Sequence, residues 1–138
     1  MLLIVAMVQK LLLLKWANLV KQVNLQVYVI LMELEICRKY GVECTPLDLS
    51  LRVGVSDNFF SDELPLNGLR HPPEGNMCGW YLWAGHELSD DPDYFKPVHV
   101  SHLADHIVLR YLGLPPGWRF LLGENYEDVW FDATLLKI

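Results

Sequence analysis

Cys78-Gly79-Trp80-Tyr81-Leu82-Trp83-Ala84-Gly85 is the stretch on which the fold class turns. Its run of aromatic residues favours extended backbone, because such side chains pack well on a pleated surface. Successive side chains of a strand point to opposite faces, so Trp80 and Leu82 share one side of Gly79–Ala84 while Tyr81 and Trp83 share the other. Both faces are therefore aromatic or apolar. Such a strand is either central and covered on both sides, or it offers an aromatic face to a partner.

Working outward toward the C-terminus, Val98–His106 has helical character that Ile107–Leu112 continues, and Leu114-Pro115-Pro116-Gly117 ends it. Two strands are expected after that stop, Trp118–Leu122 and Glu127–Phe131, the second with Val129 and Phe131 inward. Gly123–Tyr126 is short enough to join them as a hairpin. Ala133–Ile138 closes the chain as one helical turn. In the other direction Ser61–Asn76, rich in Pro, Gly and charge, reads as an ordered surface loop. Before it, Leu51, Val53 and Val55 alternate with Arg52 and Gly54 as a half-buried strand does. The expectation is an α+β domain: a small, mostly antiparallel sheet of three to four strands with helices packed on it.

The first third of the chain is helical in spacing. Leu12, Trp16, Leu19, Val23, Val27, Ile30, Leu34 and Cys37 recur at steps of three and four, which describes one helix face. Glu33–Tyr40 ends with Arg38 and Lys39 in its last turn and Gly41 as terminator. Lys10, Lys15, Asn18, Lys21, Gln22 and Asn24 interrupt the apolar run, whereas a spanning helix needs roughly 18–20 apolar residues. A secretory signal would carry its positive charge ahead of the run and small residues at a cleavage site. Neither a membrane span nor a signal is expected. Residues 1–32 then form an apolar N-terminal extension, either an extra helix or the product of a misplaced start, and residues 33–138 form the domain.

Charge is unevenly spread along a chain whose formal net charge is −6. Met1–Thr45 carry a balance of +2 and Pro46–Ile138 a balance of −8. A module this acidic is repelled by phosphate backbones and drawn to basic protein surfaces, which argues against nucleic-acid binding. The three cysteines, Cys37, Cys44 and Cys78, are too few and unevenly spaced for a secreted disulfide framework, so reduced thiols in the cytoplasm are expected.

Three groups of residues are candidates for chemistry. His99, His102 and His106 lie within about 60° of one another on an ideal helix, and imidazoles bind zinc. Three ligands on one short helix seldom converge on a single ion, so the set is a weak metal candidate. Cys78 with His71 or His86 would need an electropositive setting to make a thiolate, and the nearest charge in sequence is the acidic Glu74. The carboxylates Glu87, Asp90, Asp91 and Asp93 lack the glycine of a calcium loop and include Pro92, which favours a turn. Glu124, Glu127, Asp128 and Asp132 sit in and beside the hairpin as a solvated face. Neither an enzyme's nucleophile nor a cofactor cradle stands out.

Leu69-Arg70-His71-Pro72-Pro73-Glu74-Gly75, followed by the Cys78–Gly85 stretch, gives the chain a family likeness. Asp91-Pro92-Asp93-Tyr94-Phe95, His99-Val100-Ser101-His102-Leu103, Tyr111-Leu112-Gly113-Leu114-Pro115-Pro116-Gly117-Trp118-Arg119-Phe120 and Tyr126-Glu127-Asp128-Val129-Trp130-Phe131-Asp132 extend it. With these blocks the chain resembles the bacterial immunity-protein-like family of polymorphic toxin systems, the thirty-third numbered immunity family, from about Glu35 to its end. The resemblance implies a compact α+β domain that neutralises a toxin by binding it, without a cofactor. His99 and His102 belong to the family pattern and His106 does not stand out in it.

The expected partner is a basic toxin domain. Its contact surface is expected to combine Tyr81, Trp83 and Trp130 as exposed aromatics with Glu87, Asp90, Asp91, Asp93, Glu127 and Asp128, since aromatic anchors inside a charged rim are how tight interfaces are built. The opposing reading places those aromatics in the core. Two other functions compete: a small metal-dependent hydrolase using His99, His102 and a residue such as His71, and a regulatory or scaffold domain that rescues no toxin.

Overall fold

The computed structural model describes residues 1–137, with the side chains of residues 22 and 23 outside the description. One long helix, α1 (Leu2–Lys39), precedes six strands: β1 (Arg52–Ser56), β2 (Leu66–Arg70), β3 (Met77–Ala84), β4 (Phe95–His99), β5 (Trp118–Leu122) and β6 (Glu127–Phe131). Three short 3-10 helices, Val100–Leu103, Ile107–Tyr111 and Ala133–Leu136, complete the described elements. The strands form one sheet in the order β4-β1-β3-β2-β5-β6. The β1–β3 pair is parallel and the other four are antiparallel, so the sheet is mixed.

The architecture is α+β as expected, but three to four strands is an undercount. β2 lies inside the stretch expected to be a surface loop, yet every one of its residues is buried. Gly68 and Arg70 hide it from an alternation test. Gly68 leaves room for the Phe120 ring, and Arg70 is a buried cation whose guanidinium donates to the carbonyls of Cys78, Thr45, Leu112 and Leu114. β4 escaped because Pro97 has no N–H for a ladder. At the sheet's edge that donor is not needed, and Pro97 with Lys96 blunts the edge against further pairing.

β3 is central, between β1 and β2. Its first half bends at Gly79, whose φ of +98° and close approach to the His71 carbonyl leave no space for a Cβ. One face of the sheet, carrying Val53, Val55, Trp80, Leu82 and Phe120, packs under α1 and the 3-10 segments that supply Leu103, Val108, Leu112 and Leu114. The Trp80 indole N–H donates to the Leu112 carbonyl at 2.8 Å, so the largest fully buried side chain is also polar-satisfied. Phe131, expected inward, is half-exposed and packs against Trp118 with the rings tilted at 57°, while Val129 does contact the core.

The helix face that packs overlaps the one the spacing picked out only at Cys37 and the half-buried Ile30, with the Val23 side chain outside the description. Val29, Glu33, Ile36 and Cys37 are buried, whereas Leu12, Trp16, Leu19, Val27 and Leu34 are exposed. Glu33 makes the packed line look polar in sequence. Inside the fold its carboxylate accepts the Leu47 N–H at 3.3 Å and lies within the field of Arg70; desolvation is the largest influence and raises its pKa to about 7. Gly41, at φ +66°, ends the helix as expected, with the Val42 N–H returning to the Cys37 carbonyl at 2.9 Å.

The first twenty residues of α1 touch nothing else in the domain and are exposed throughout. By length and composition alone α1 is long and apolar enough to cross a membrane, with an 18-residue window of mean hydropathy 1.6 that is nowhere buried. This differs from the expectation drawn from the interrupting polar residues, because two lysines within such a window leave its average high.

Candidate functional site

The sheet face opposite α1 carries the aromatic residues that define the site. Pairing places Pro97, Gly54, Tyr81, Leu69, Arg119 and Trp130 side by side across the six strands. The neighbouring row holds Trp83, Asn67, Leu121 and Asp128. Directly paired residues share a face, so Tyr81, Trp83, Trp130 and Asp128 of the expected contact set all lie on this side. No long helix covers it. Among the described residues the short Ala133–Leu136 turn reaches over it, burying Leu135 against Leu69 and Trp83.

Tyr81 is the centre. Its ring lies over Gly54, where a Cβ would come within 2.6 Å of its Cδ1, and it meets His71 and Phe95 edge-on at 5.8 and 5.2 Å between ring centres. Phe95 in turn packs edge-on against Trp83 and Tyr94. Trp83 is only 4% exposed. It forms the floor of the cluster and not its contact surface, which corrects the expectation that it stands exposed beside Tyr81. Trp130 is half-buried, with the Arg119 guanidinium 5.3 Å above its ring and Arg119 also paired to Asp132 at 3.2 Å.

Three hollows run together along this face. The first, about 280 Å³, includes His71, Glu74, Tyr81 and Lys137; the second, about 270 Å³, lies between Leu69, His71, Tyr81, Leu88 and Phe95. The third and largest, about 540 Å³, is bounded by Asn58, Glu63, His86, Glu87, Leu88 and Tyr94. His71 and Tyr81 are common to the first two and Leu88 to the second and third, so the hollows adjoin one another along a groove-like tract. The wall at its acidic end is the loop after β3. There the Asp93 N–H donates to the Asp91 carboxylate at 2.9 Å and the Asp91 N–H to the Ser89 hydroxyl at 3.1 Å, which is the turn chemistry expected of Ser89–Asp93. Those local bonds leave Glu87, Asp90, Asp91 and Asp93 exposed beside the groove. Leu69, Leu88 and Phe95 belong to the groove and were not singled out as site residues. Phe95 was legible only within the family-like block, and Leu69 lay in the supposed loop.

Glu127 is set apart from the rest of the set. It sits on the helix side of β6 and pairs with Leu122, whose neighbour Leu66 is in the core. Lys39 donates to its carboxylate at 2.6 Å, and the hydroxyls of Tyr40 and Tyr111 donate to it as well. Burial alone would raise its pKa, but these three donors outweigh that and hold it at about 2. Glu127 ties the end of α1 to the sheet, so its carboxylate is engaged within the fold. Glu124 is exposed in the β5–β6 turn, and Asp132 caps the last 3-10 helix through the Thr134 N–H at 3.0 Å.

The three histidines do not share a helix face. His99 ends strand β4, His102 lies in the first 3-10 helix, and His106 precedes the second. The chain turns between them because each 3-10 segment is only four or five residues long. His99 and His102 are 6.1 Å apart between ring centres. His106 stacks on Phe59 at 4.7 Å and accepts the Val108 N–H at its Nδ1, and burial lowers its pKa. Among the described residues no group of three or more His, Cys, Asp or Glu is placed to hold a metal ion. Cys78 is fully buried within β3, and burial raises its thiol away from the thiolate form. His71 lies on the open face, with its Nδ1 2.9 Å from the Leu135 carbonyl.

Comparison with known proteins gives one family. A family model described as the Imm33-like domain matches residues 32–132, most of the chain, and the chain belongs to that family. No curated protein and no solved structure matches it.

Proposed function

We propose, on the premise of its membership of the Imm33-like family, that this protein binds and neutralises a cognate bacterial toxin through the open aromatic face of its sheet. The observation that carries the reading is the groove centred on Tyr81, an aromatic hollow on the uncovered sheet face with an acidic loop as one wall. Stable interfaces need buried aromatic anchors ringed by polar residues, and a large apolar patch left open on a small domain marks a contact site. Tyr81, Leu88, Phe95 and Trp130 are the anchors. Glu87, Asp90, Asp91, Asp93 and Asp128 form the rim, which suits a basic partner through electrostatic steering. Glu127 acts from within, by holding α1 to the sheet.

Residues 33–138 constitute the binding domain in this reading, with residues 1–32 as an extension, and the protein acts by occlusion without catalysis or cofactor. Three free cysteines accord with a reducing compartment. The test is to capture the partner with the wild-type chain and co-express it with wild type and Tyr81→Ala. Rescue of growth by wild type and loss of rescue by Tyr81→Ala support the reading. Tight binding without any effect on growth would instead favour a regulatory or scaffold role on the same surface.

A further inference from the structure

The exposed apolar side of α1 is separate from the sheet face and is directed elsewhere. At 100° per residue, Lys10, Lys21, Asn18 and Lys15 fall within an arc of about 140°. Leu12, Trp16, Leu19, Val20, Val27 and Leu31 fall on the opposite arc, and all are exposed, Trp16 to 64%; Leu11 and Leu14 are exposed among the lysines as well, so the two sides are divided by charge more than by apolarity. Of the buried residues that attach α1 to the domain, Val29, Glu33 and Ile36 lie on the lysine side and Cys37 at the edge of the apolar arc. The domain and the lysines therefore project from one side of the helix and the apolar stripe from the other.

We infer that α1 lies on an anionic lipid surface, with its apolar stripe in the membrane interface and the domain held on the aqueous side. Charge complementarity supports this occupant: Lys10, Lys15 and Lys21 are the only charged residues before Glu33. The stripe runs from Leu12 to Leu31, about 30 Å at 1.5 Å per residue, and stays on the far side even where the helix packs on the domain. Leu2–Val8 is apolar on every side. A partner helix would cover only one side of that segment, whereas in the interface it can settle deeper among the acyl chains than the rest of the helix. Lying in the interface also leaves the lysine ammonium groups among the headgroups. In a crossing helix Lys10 and Lys15 would sit near mid-membrane, at a penalty that offsets most of the gain from the surrounding leucines.

The inference is independent of the toxin reading, since its variants leave the sheet face untouched. Full-length protein is floated with vesicles of phosphatidylcholine, with and without phosphatidylglycerol. It should float with the anionic vesicles and be released by high salt. Leu12→Glu with Leu19→Glu should abolish flotation, and changing Lys10, Lys15 and Lys21 to Glu should lower partitioning by at least about a hundredfold. These side chains contact nothing in the domain, so near-ultraviolet circular dichroism should stay that of the wild type. Absence of flotation from both kinds of vesicle would overturn the inference. Equal binding to neutral vesicles, unaffected by the lysine changes, would overturn its anionic part. A lipid-free dimer dissolved by Leu12→Glu would assign the stripe to a second copy of the chain.

Discussion

The ring of Tyr81 rests on Gly54 of the adjacent parallel strand, in a place that any side chain at position 54 would fill. That relationship makes the groove a built feature, because the Cδ1–Cε1 edge of the ring occupies the space above Gly54 while the ring also packs on Phe95 and His71. If Tyr81 is the central anchor, Tyr81→Ala should weaken partner binding by about 2 kcal/mol or more, roughly thirtyfold in Kd. Thermal unfolding should shift little, because Tyr81 is only half-buried. Gly54→Val should reduce affinity by displacing the ring, and titration calorimetry of both variants checks the pair.

Trp83 should behave differently. It is buried beneath the same cluster, so Trp83→Ala removes floor and not contact. The expected loss is about 3–5 kcal/mol of stability, as for other large buried aromatics, measured by urea unfolding. A variant that keeps wild-type stability but loses binding would place Trp83 back in the interface.

Glu33 should make stability fall with rising pH. Its folded pKa of about 7 lies above the ordinary carboxylate value of 4.5, so the folded state binds the proton more tightly than the unfolded state. Its contribution is full below about pH 4.5 and is lost as pH rises through about 7. Unfolding free energies measured across pH 5–8 should decline for wild type. Glu33→Gln should flatten that slope.

Glu127 should act in the opposite sense. Its pKa is depressed to about 2, so the stability it supplies is present above about pH 4.5 and is lost as pH falls toward 2. Its partners should not count equally. Lys39 is largely exposed, and Lys39→Ala should cost less than about 1 kcal/mol. Tyr111 is buried, and Tyr111→Phe should cost about 1–2 kcal/mol. Acid titrations of the two variants separate these contributions.

Much of the sheet was legible because alternation shows where one face is buried. β1 was visible on that ground, β3 by its run of aromatics, and β5 and β6 as the two arms of a hairpin after the Pro115-Pro116-Gly117 stop. β2 and β4 were not, since Gly68, Arg70 and Pro97 break the pattern for reasons that appear only in three dimensions: a ring filling the glycine's space, four carbonyls around a guanidinium, and a sheet edge. The same limit applied to α1. A buried carboxylate at Glu33 disguised the packed face, while an unoccupied apolar stripe passed for the core. Around the candidate groove, the half-buried Tyr81 and the turn chemistry of the acidic loop were readable from sequence. The inward turn of Trp83 and the tethering of Glu127 were not, because both depend on neighbours far along the chain.

The most direct test of the open sheet face as the partner surface is site-specific photocrosslinking to the captured toxin. A photoreactive side chain is placed in turn at Tyr81, at Leu88, and at Ile107, which is exposed on the helix side of the fold. The account predicts crosslinks from Tyr81 and Leu88 and none from Ile107. Crosslinks from Ile107 alone would contradict it and move the interface to the opposite side of the molecule.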